Sequence, residues 1–411
     1  MRNSDPIRLP GRLPLVPSDL AQHWVLNPEI DFLNHGSFGA TPRVVLEAQR
    51  EFLQQLERDP ISFLAPERSL LPRLDQVRAL LADLVHAPDQ DIAFVRNATE
   101  GVNAVLRSFP FRSGDQVLVT DHGYNACNNA ARFAAERFGA SVVHAEVPFP
   151  IESPDAVLQA VEEKINGRTR LLLIDHVTSP TGLVFPLAEL IALAHQRGVR
   201  VLVDGAHAAG MLQVDLSQLD PDYYTANHHK WLCGPKSSAF LYVRREFQPE
   251  IRPTSISHGA NRDSYGVSRF LAEFNWLGTY DPSPLLAMPR ALEFLRTLVP
   301  GGIEGLMRHN RQLALSARDH LLTALGQPAP SPPEMIGSLA SVPLPIHGQN
   351  IDSKLETLRG RLAGEFRIEV PIFRLANGVA CVRISAQAYN DLGQYDRLAE
   401  ALVRCGCGKK G

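Results

Sequence analysis

Val201-Leu202-Val203-Asp204-Gly205-Ala206-His207 sets an acid at the end of a short apolar run. Asn227-His228-His229-Lys230-Trp231-Leu232-Cys233-Gly234-Pro235-Lys236 then sets a lysine in a polar turn, 26 positions after that acid. A further apolar run, Ala239-Phe240-Leu241-Tyr242-Val243, follows the turn. Short apolar runs bounded by polar and turn residues read as buried strands. Working outward, residues 92–95, 116–120, 141–145 and 171–174 are runs of the same kind. Helical stretches at 99–108, 126–138 and 187–196 lie between them. Strands alternating with helices of this length predict βαβ units and an α/β fold with a mostly parallel sheet. Upstream, 46–56 and 70–85 read as helices; Leu70, Leu74, Val77, Leu80, Leu81 and Leu84 recur at helical spacing.

The texture divides the chain into three. Residues 1–30 are rich in Pro and Leu without a period and read as an N-terminal arm. Residues 31–285 hold the strand–helix alternation and form the large domain. From 286 to 411, long helices (286–298, 303–325), a Pro-rich loop (327–333) and short strand-like runs (339–344, 378–385) predict a smaller α+β domain.

Composition excludes several partners. With 411 residues, formal charge −3 and 45% hydrophobic residues, the chain reads as an ordinary globular protein with neither a nucleic acid nor an anionic membrane as partner. No apolar h-region follows Arg2, and no apolar run approaches membrane-spanning length. Five cysteines without paired CxxC spacing suit free thiols in a reducing cytoplasm. The tail Cys405-Gly406-Cys407-Gly408 reads as a solvated end, not a metal or redox site.

The polar clusters follow the strands, and in open α/β sheets the carboxyl ends of strands carry the site. Lys230 and Asp204 are the two groups that a pyridoxal phosphate site needs most: the lysine forms the Schiff base and the acid pairs with the pyridinium nitrogen. A helix cap is the plain alternative for Asp204. His207 can hydrogen-bond the cofactor's ring oxygen or be a core histidine. Asn97-Ala98-Thr99-Glu100-Gly101 stands where a strand hands over to a helix, whose backbone amides bind phosphate, with the Thr99 hydroxyl as a further donor. Tyr124, in Asp121-His122-Gly123-Tyr124, is favoured over His122 to stack on the pyridine ring. Arg383 reads as the clamp for a substrate α-carboxylate, with a structural salt bridge as the alternative. There is no Walker A loop, HExxH or G-x-S-x-G, and the adjacent His228 and His229 would point opposite ways on a strand.

With Phe32-Leu33-Asn34-His35-Gly36-Ser37-Phe38-Gly39, Asp175-His176-Val177-Thr178-Ser179, Leu277-Gly278-Thr279-Tyr280-Asp281 and Val382-Arg383-Ile384-Ser385 added, the chain resembles the class V aminotransferase family of fold-type I pyridoxal phosphate enzymes. Within it, the likeness is to the isopenicillin N epimerase-like branch, which also shelters cysteine desulfhydrases and hercynylcysteine sulfoxide lyases. The resemblance implies a seven-stranded large-domain sheet. It also implies a homodimer with sites at the subunit interface, in which Thr279 reaches the phosphate bound by the partner. Asn227, His229 and Ala98 would hold phosphate from the same subunit, and Asn34 and His35 would lie over the substrate. Ser179 takes a position near the ring hydroxyl where many relatives have Asn. The cysteine desulfurases of the family carry a nucleophilic Cys about fifteen positions before the arginine, where this chain reads Glu365-Phe366-Arg367-Ile368-Glu369-Val370-Pro371. Lys230 would act as the base at Cα. The reaction expected first is epimerisation, with His35, His122 or Tyr124 as a second acid. β-Elimination of a C–S bond is the alternative, and transamination or desulfuration ranks lower.

Overall fold

The computed structural model describes residues 18–261 and 266–408. Most of the arm, residues 1–17, and the last three residues of the tail lie outside the described residues. Twelve strands are described: β1 (Asp31–Phe32), β2 (Ile92–Val95), β3 (Gln116–Thr120), β4 (Ser141–Ala145), β5 (Thr169–Asp175), β6 (Arg200–Asp204), β7 (Tyr223–Asn227), β8 (Ala239–Val243), β9 (Leu339–Pro343), β10 (Ile368–Glu369), β11 (Ile372–Arg374) and β12 (Ala380–Ser385).

Seven of them form the large sheet, in the order β2-β8-β7-β6-β5-β3-β4. β4, β3, β5, β6 and β7 run parallel, and β8 runs antiparallel to β7 and β2. The central strands are buried along most of their length because both faces are covered, while the edge strand β4 is partly exposed. Neighbouring residues of one strand point to opposite faces and enter different cores. Leu172, Ile174, Val201 and Val203 join one; Leu171, Leu173 and Leu202 join the other. One strand escapes the sequence reading. β7, Tyr-Tyr-Thr-Ala-Asn, has no aliphatic run, yet all five residues are buried. Its aromatic and β-branched side chains are good strand formers, and it carries the chain into the Lys230 turn.

The C-terminal region packs β11-β12-β9 as an antiparallel sheet against the helices Gly302–Leu325, Ile351–Gly364 and Leu392–Leu402 around a third core. The segment just after the arm belongs here physically. β1 pairs with β10, Leu33 is part of the third core, and the Asp31 carboxylate accepts two bonds of 2.7 Å from Arg397. The chain then turns back to the large sheet. Gly39, at φ +68°, passes so near the Lys230 turn that a Cβ there would stand 1.8 Å from the carbonyl oxygen of His229, and only glycine suits both the dihedral and the space. Among the described residues no helix is long and apolar enough to cross a membrane.

Candidate active site

The crevice forms where the connections reverse. β3 has β4 on one side and β5 on the other, and the polar clusters sit past the carboxyl ends of β3, β5, β6 and β7. Strand register sets Asp175 beside Asp204.

Lys230 is buried, and its Nζ lies 2.9 Å from His207 Nε2. Burial holds the His207 ring well below the ordinary histidine range, helped by the Lys230 charge, so the ring is neutral. The indole N–H of Trp231 points at His207 Nδ1 from 3.4 Å. A neutral imidazole has one donor and one acceptor. With Nδ1 accepting, Nε2 carries the hydrogen, an arrangement that favours the amine form of Lys230 as its acceptor. Burial independently pulls the Lys230 amine down to about 8, against the opposing pull of Asp204 and with the help of Arg383.

Asp204 is held by its own surroundings. Oδ1 accepts from the Ala206 backbone N–H at 3.0 Å, and Oδ2 from the Cys127 thiol at 3.1 Å. Among the described residues no cation is within ion-pair distance of this buried carboxylate. Burial and the Asp204 charge together push the neighbouring Asp175 well above the carboxylate range, so Asp175 keeps its proton.

At the start of the helix Ala98–Ser108, Asn97 caps the Glu100 N–H at 2.9 Å. Asn227 spans from the end of β7 to accept the Ala98 N–H, also at 2.9 Å. The Ala98 amide is therefore taken by the protein, and Thr99 offers the open amide and hydroxyl. Beyond it, the Nδ1 of His229 is buried without a partner, and burial pulls that ring to about 4.

Arg383, on β12, is buried across the cleft. It donates to the carbonyl and hydroxyl oxygens of Ser179 and to Ser37 Oγ, and among the described residues its Nε has no partner and no carboxylate neutralises it. Burial lowers it to about 10. Ser37 in turn donates to Asn34 Oδ1, and the Asn34 amide donates to Glu369 at 2.9 Å. Ser179 thus faces the arginine. Glu369 stands in the stretch 365–371, which holds no cysteine.

The two histidines offered as second acids are committed elsewhere. His35 bonds the Tyr389 hydroxyl (2.7 Å) and the Lys230 carbonyl (2.9 Å), and burial takes it to about 3. His122 bonds Thr181 Oγ1 and the Val147 carbonyl, at 2.8 and 3.0 Å. Tyr124 is 45% exposed, and Thr279 is exposed as well. Sequence reasoning missed Cys127 and the hydrogen-bonding part of Trp231. The signal for Cys127 was its place three residues after Tyr124, one helical turn further along the helix that follows β3.

The residues fit pyridoxal phosphate: a buried lysine whose pKa burial lowers to about 8, a buried carboxylate without a cation among the described residues, and open donors at a helix start. Similarity agrees with this geometry. The chain is 33% identical over 410 residues to a probable chloroplastic L-cysteine desulfhydrase of Arabidopsis thaliana, covering 94% of this chain and 84% of that protein. It is 33% identical over 390 residues to the isopenicillin N epimerase of Streptomyces clavuligerus, covering 92% and 95%. The structure of the cystine C–S lyase C-DES with its product cysteine persulfide superposes with a TM-score of 0.75 at 25% identity, over 93% of this chain and 99% of that one. The family described as Aminotransferase class-V matches residues 33–398; with its fold-type I architecture and the lysine and aspartate suited to pyridoxal phosphate, this chain belongs to that family of pyridoxal phosphate enzymes.

Proposed function

We propose that this enzyme cleaves a C–S bond by β-elimination from a sulfur-bearing α-amino acid. The observation that carries the reading is the supply of bases. Lys230 is a buried amine whose hold on its proton burial weakens to about 8, while both ring nitrogens of His35 and of His122 are bound within the protein. One base is enough for elimination, whereas epimerisation needs a second acid on the opposite face of Cα. When bound, pyridoxal phosphate supplies the electron sink for the pair left at Cα.

The chain's own groups do the rest. Arg383, lacking a carboxylate of its own, takes the substrate's α-carboxylate between the Ser37 and Ser179 contacts. The Lys230 amine accepts the α-proton. Asp204 would hold the proton on the ring nitrogen, and Thr99 with His229 would hold the phosphate. Tyr124, exposed on its turn, would cover the ring face. The sulfur leaves Cβ as a thiol. Cysteine would thus yield pyruvate, ammonia and sulfide with uptake of one water.

Epimerisation, first on sequence grounds, is the second reading, and the exposed Tyr124 is what favours it. A persulfide-forming desulfurase has no support: Cys381 is buried in β12 and burial pushes its thiol up to about 12. The same proposal includes a homodimer in which the exposed Thr279 meets the phosphate bound by the partner, and a reducing cytoplasmic setting suited to five free cysteines.

The test is incubation with cysteine, cystine and S-substituted cysteines, assaying pyruvate and ammonia, alongside α-proton exchange in D₂O over a panel of L-amino acids. Rapid pyruvate release is expected. Exchange without pyruvate would replace elimination with epimerisation.

A further inference from the structure

We infer that Cys127 is a positioning residue for the cofactor's ring: its thiol fixes the face that Asp204 presents to the ring nitrogen. The geometry is specific. Cys127 is on the helix Asn125–Phe138, 2% exposed, with its Sγ 3.1 Å from Asp204 Oδ2. Oδ1 is bound by the Ala206 amide, so backbone and thiol together hold both carboxylate oxygens. With one of them free, the carboxylate would turn about its own bond.

The surroundings leave few other donors for that oxygen. Asp175 lies beside it on β5. On β7 is Tyr224, whose ring a Cβ at Gly205 would meet at 2.3 Å, and its hydroxyl is bonded to His176 Nδ1 at 2.9 Å. Lys230, from the turn after β7, is bonded to His207. The thiol itself stays protonated: burial, then the Asp204 charge, pushes Cys127 well above its ordinary range. It can donate only weakly. A weak donor suits a carboxylate that must also accept the ring N–H, because it orients the oxygen and leaves most of its charge for the ring.

This inference rests on the cofactor assignment and not on the choice between elimination and epimerisation. Two measurements test it. In the cofactor-free protein, the S–H stretching band assigned by difference with Cys127→Ala should move to higher frequency when Asp204→Asn weakens the acceptor. In the holoenzyme, the pH midpoint of the cofactor's visible absorbance should rise by about half a pH unit in Cys127→Ala, since the carboxylate then cancels more of the ring's positive charge. Cys127→Ser, which keeps a donor of similar size, should stay near wild type or move the other way. An S–H band indifferent to Asp204→Asn, or equal midpoints in wild type and Cys127→Ala, would overturn the role. Absence of any cofactor band in the wild-type protein would instead strike at the cofactor assignment and leave the infrared result standing.

Discussion

Two charged groups face the same cleft, and the fold treats them in opposite ways. Asp204, from the large sheet, has both carboxylate oxygens bonded by its own chain and a proton-bearing acid beside it. Arg383, from the C-terminal sheet, is just as buried, yet it meets only hydroxyl and carbonyl oxygens and keeps one N–H without a partner. Compare Arg78, also buried, which is paired with Asp75 and bonds Asn275. A buried guanidinium without a carboxylate is costly. The fold bears that cost where a ligand would complete the site. One side of the cleft is finished in advance for a resident group, and the other is left open for a group that comes and goes.

The strongest way to break this contrast is at the lysine between them. Lys230→Ala removes both the covalent anchor and the base, so turnover should fall by about a thousandfold or more, and reduction with borohydride should no longer fix the cofactor to the protein. Retention of borohydride-fixed cofactor in this variant would move the anchor elsewhere. Next comes the open side. Arg383→Met should lower kcat/KM by about 2–5 kcal/mol, through loss of the carboxylate's partner. The cofactor-free protein should meanwhile melt no lower than wild type, because an uncompensated buried charge has been removed. Parallel losses in stability and activity would mean that Arg383 is a structural group, and the contrast with Asp204 would fail.

A third effect is smaller and comes from pH. Five buried rings, His35, His122, His176, His207 and His228, and the half-buried ring of His229 are pulled down chiefly by burial, to between about 3 and 4 where a value is resolved. Each folded value lies below its unfolded one, so each contributes stability that is complete above pH ~6.5 and is lost as pH falls. Asp175 acts the other way, since it keeps its proton when folded, but it sets one proton against six. Denaturant titration of the cofactor-free protein should show stability falling steadily from pH 6.5 to 4. A flat profile would mean that these rings are charged in the folded state.

Legibility in the sequence followed the same division. Asp204 and Thr99 announce themselves because one ends an apolar run and the other opens a helix, and Lys230 because it sits in a polar turn between two apolar stretches, so local pattern suffices. β7 did not, because Tyr223-Tyr224-Thr225-Ala226-Asn227 is buried by its neighbours β6 and β8 and not by any pattern of its own. The engagement of His35 and His122 was also invisible. Their partners Tyr389, Lys230, Thr181 and Val147 are between 25 and 354 positions away in the chain, and only the folded structure reveals that a plausible acid is already occupied. The parallel pairing of β1 with β10 is of this kind too: two residues long, it exists only once the chain ends of the body have met.

The smallest effect tests the contrast within a single helix turn. Asn227 and Thr99 both serve the start of the helix Ala98–Ser108, but one is spent on the protein and the other is not. Asn227→Ala strips the Ala98 N–H of its buried acceptor, which should destabilise even the cofactor-free protein by about 1 kcal/mol or more. Thr99→Ala removes a hydroxyl that bonds nothing in the chain, so the cofactor-free protein should melt as wild type does. Its cost should emerge only on titration with pyridoxal phosphate, as a loss of about 1 kcal/mol in affinity, roughly fivefold. Inorganic phosphate offers the same discrimination without the ring: it should protect wild-type cofactor-free protein against thermal unfolding more than it protects Thr99→Ala. If instead Thr99→Ala lowers stability without ligand and leaves phosphate protection unchanged, the hydroxyl belongs to the helix cap and not to a phosphate site.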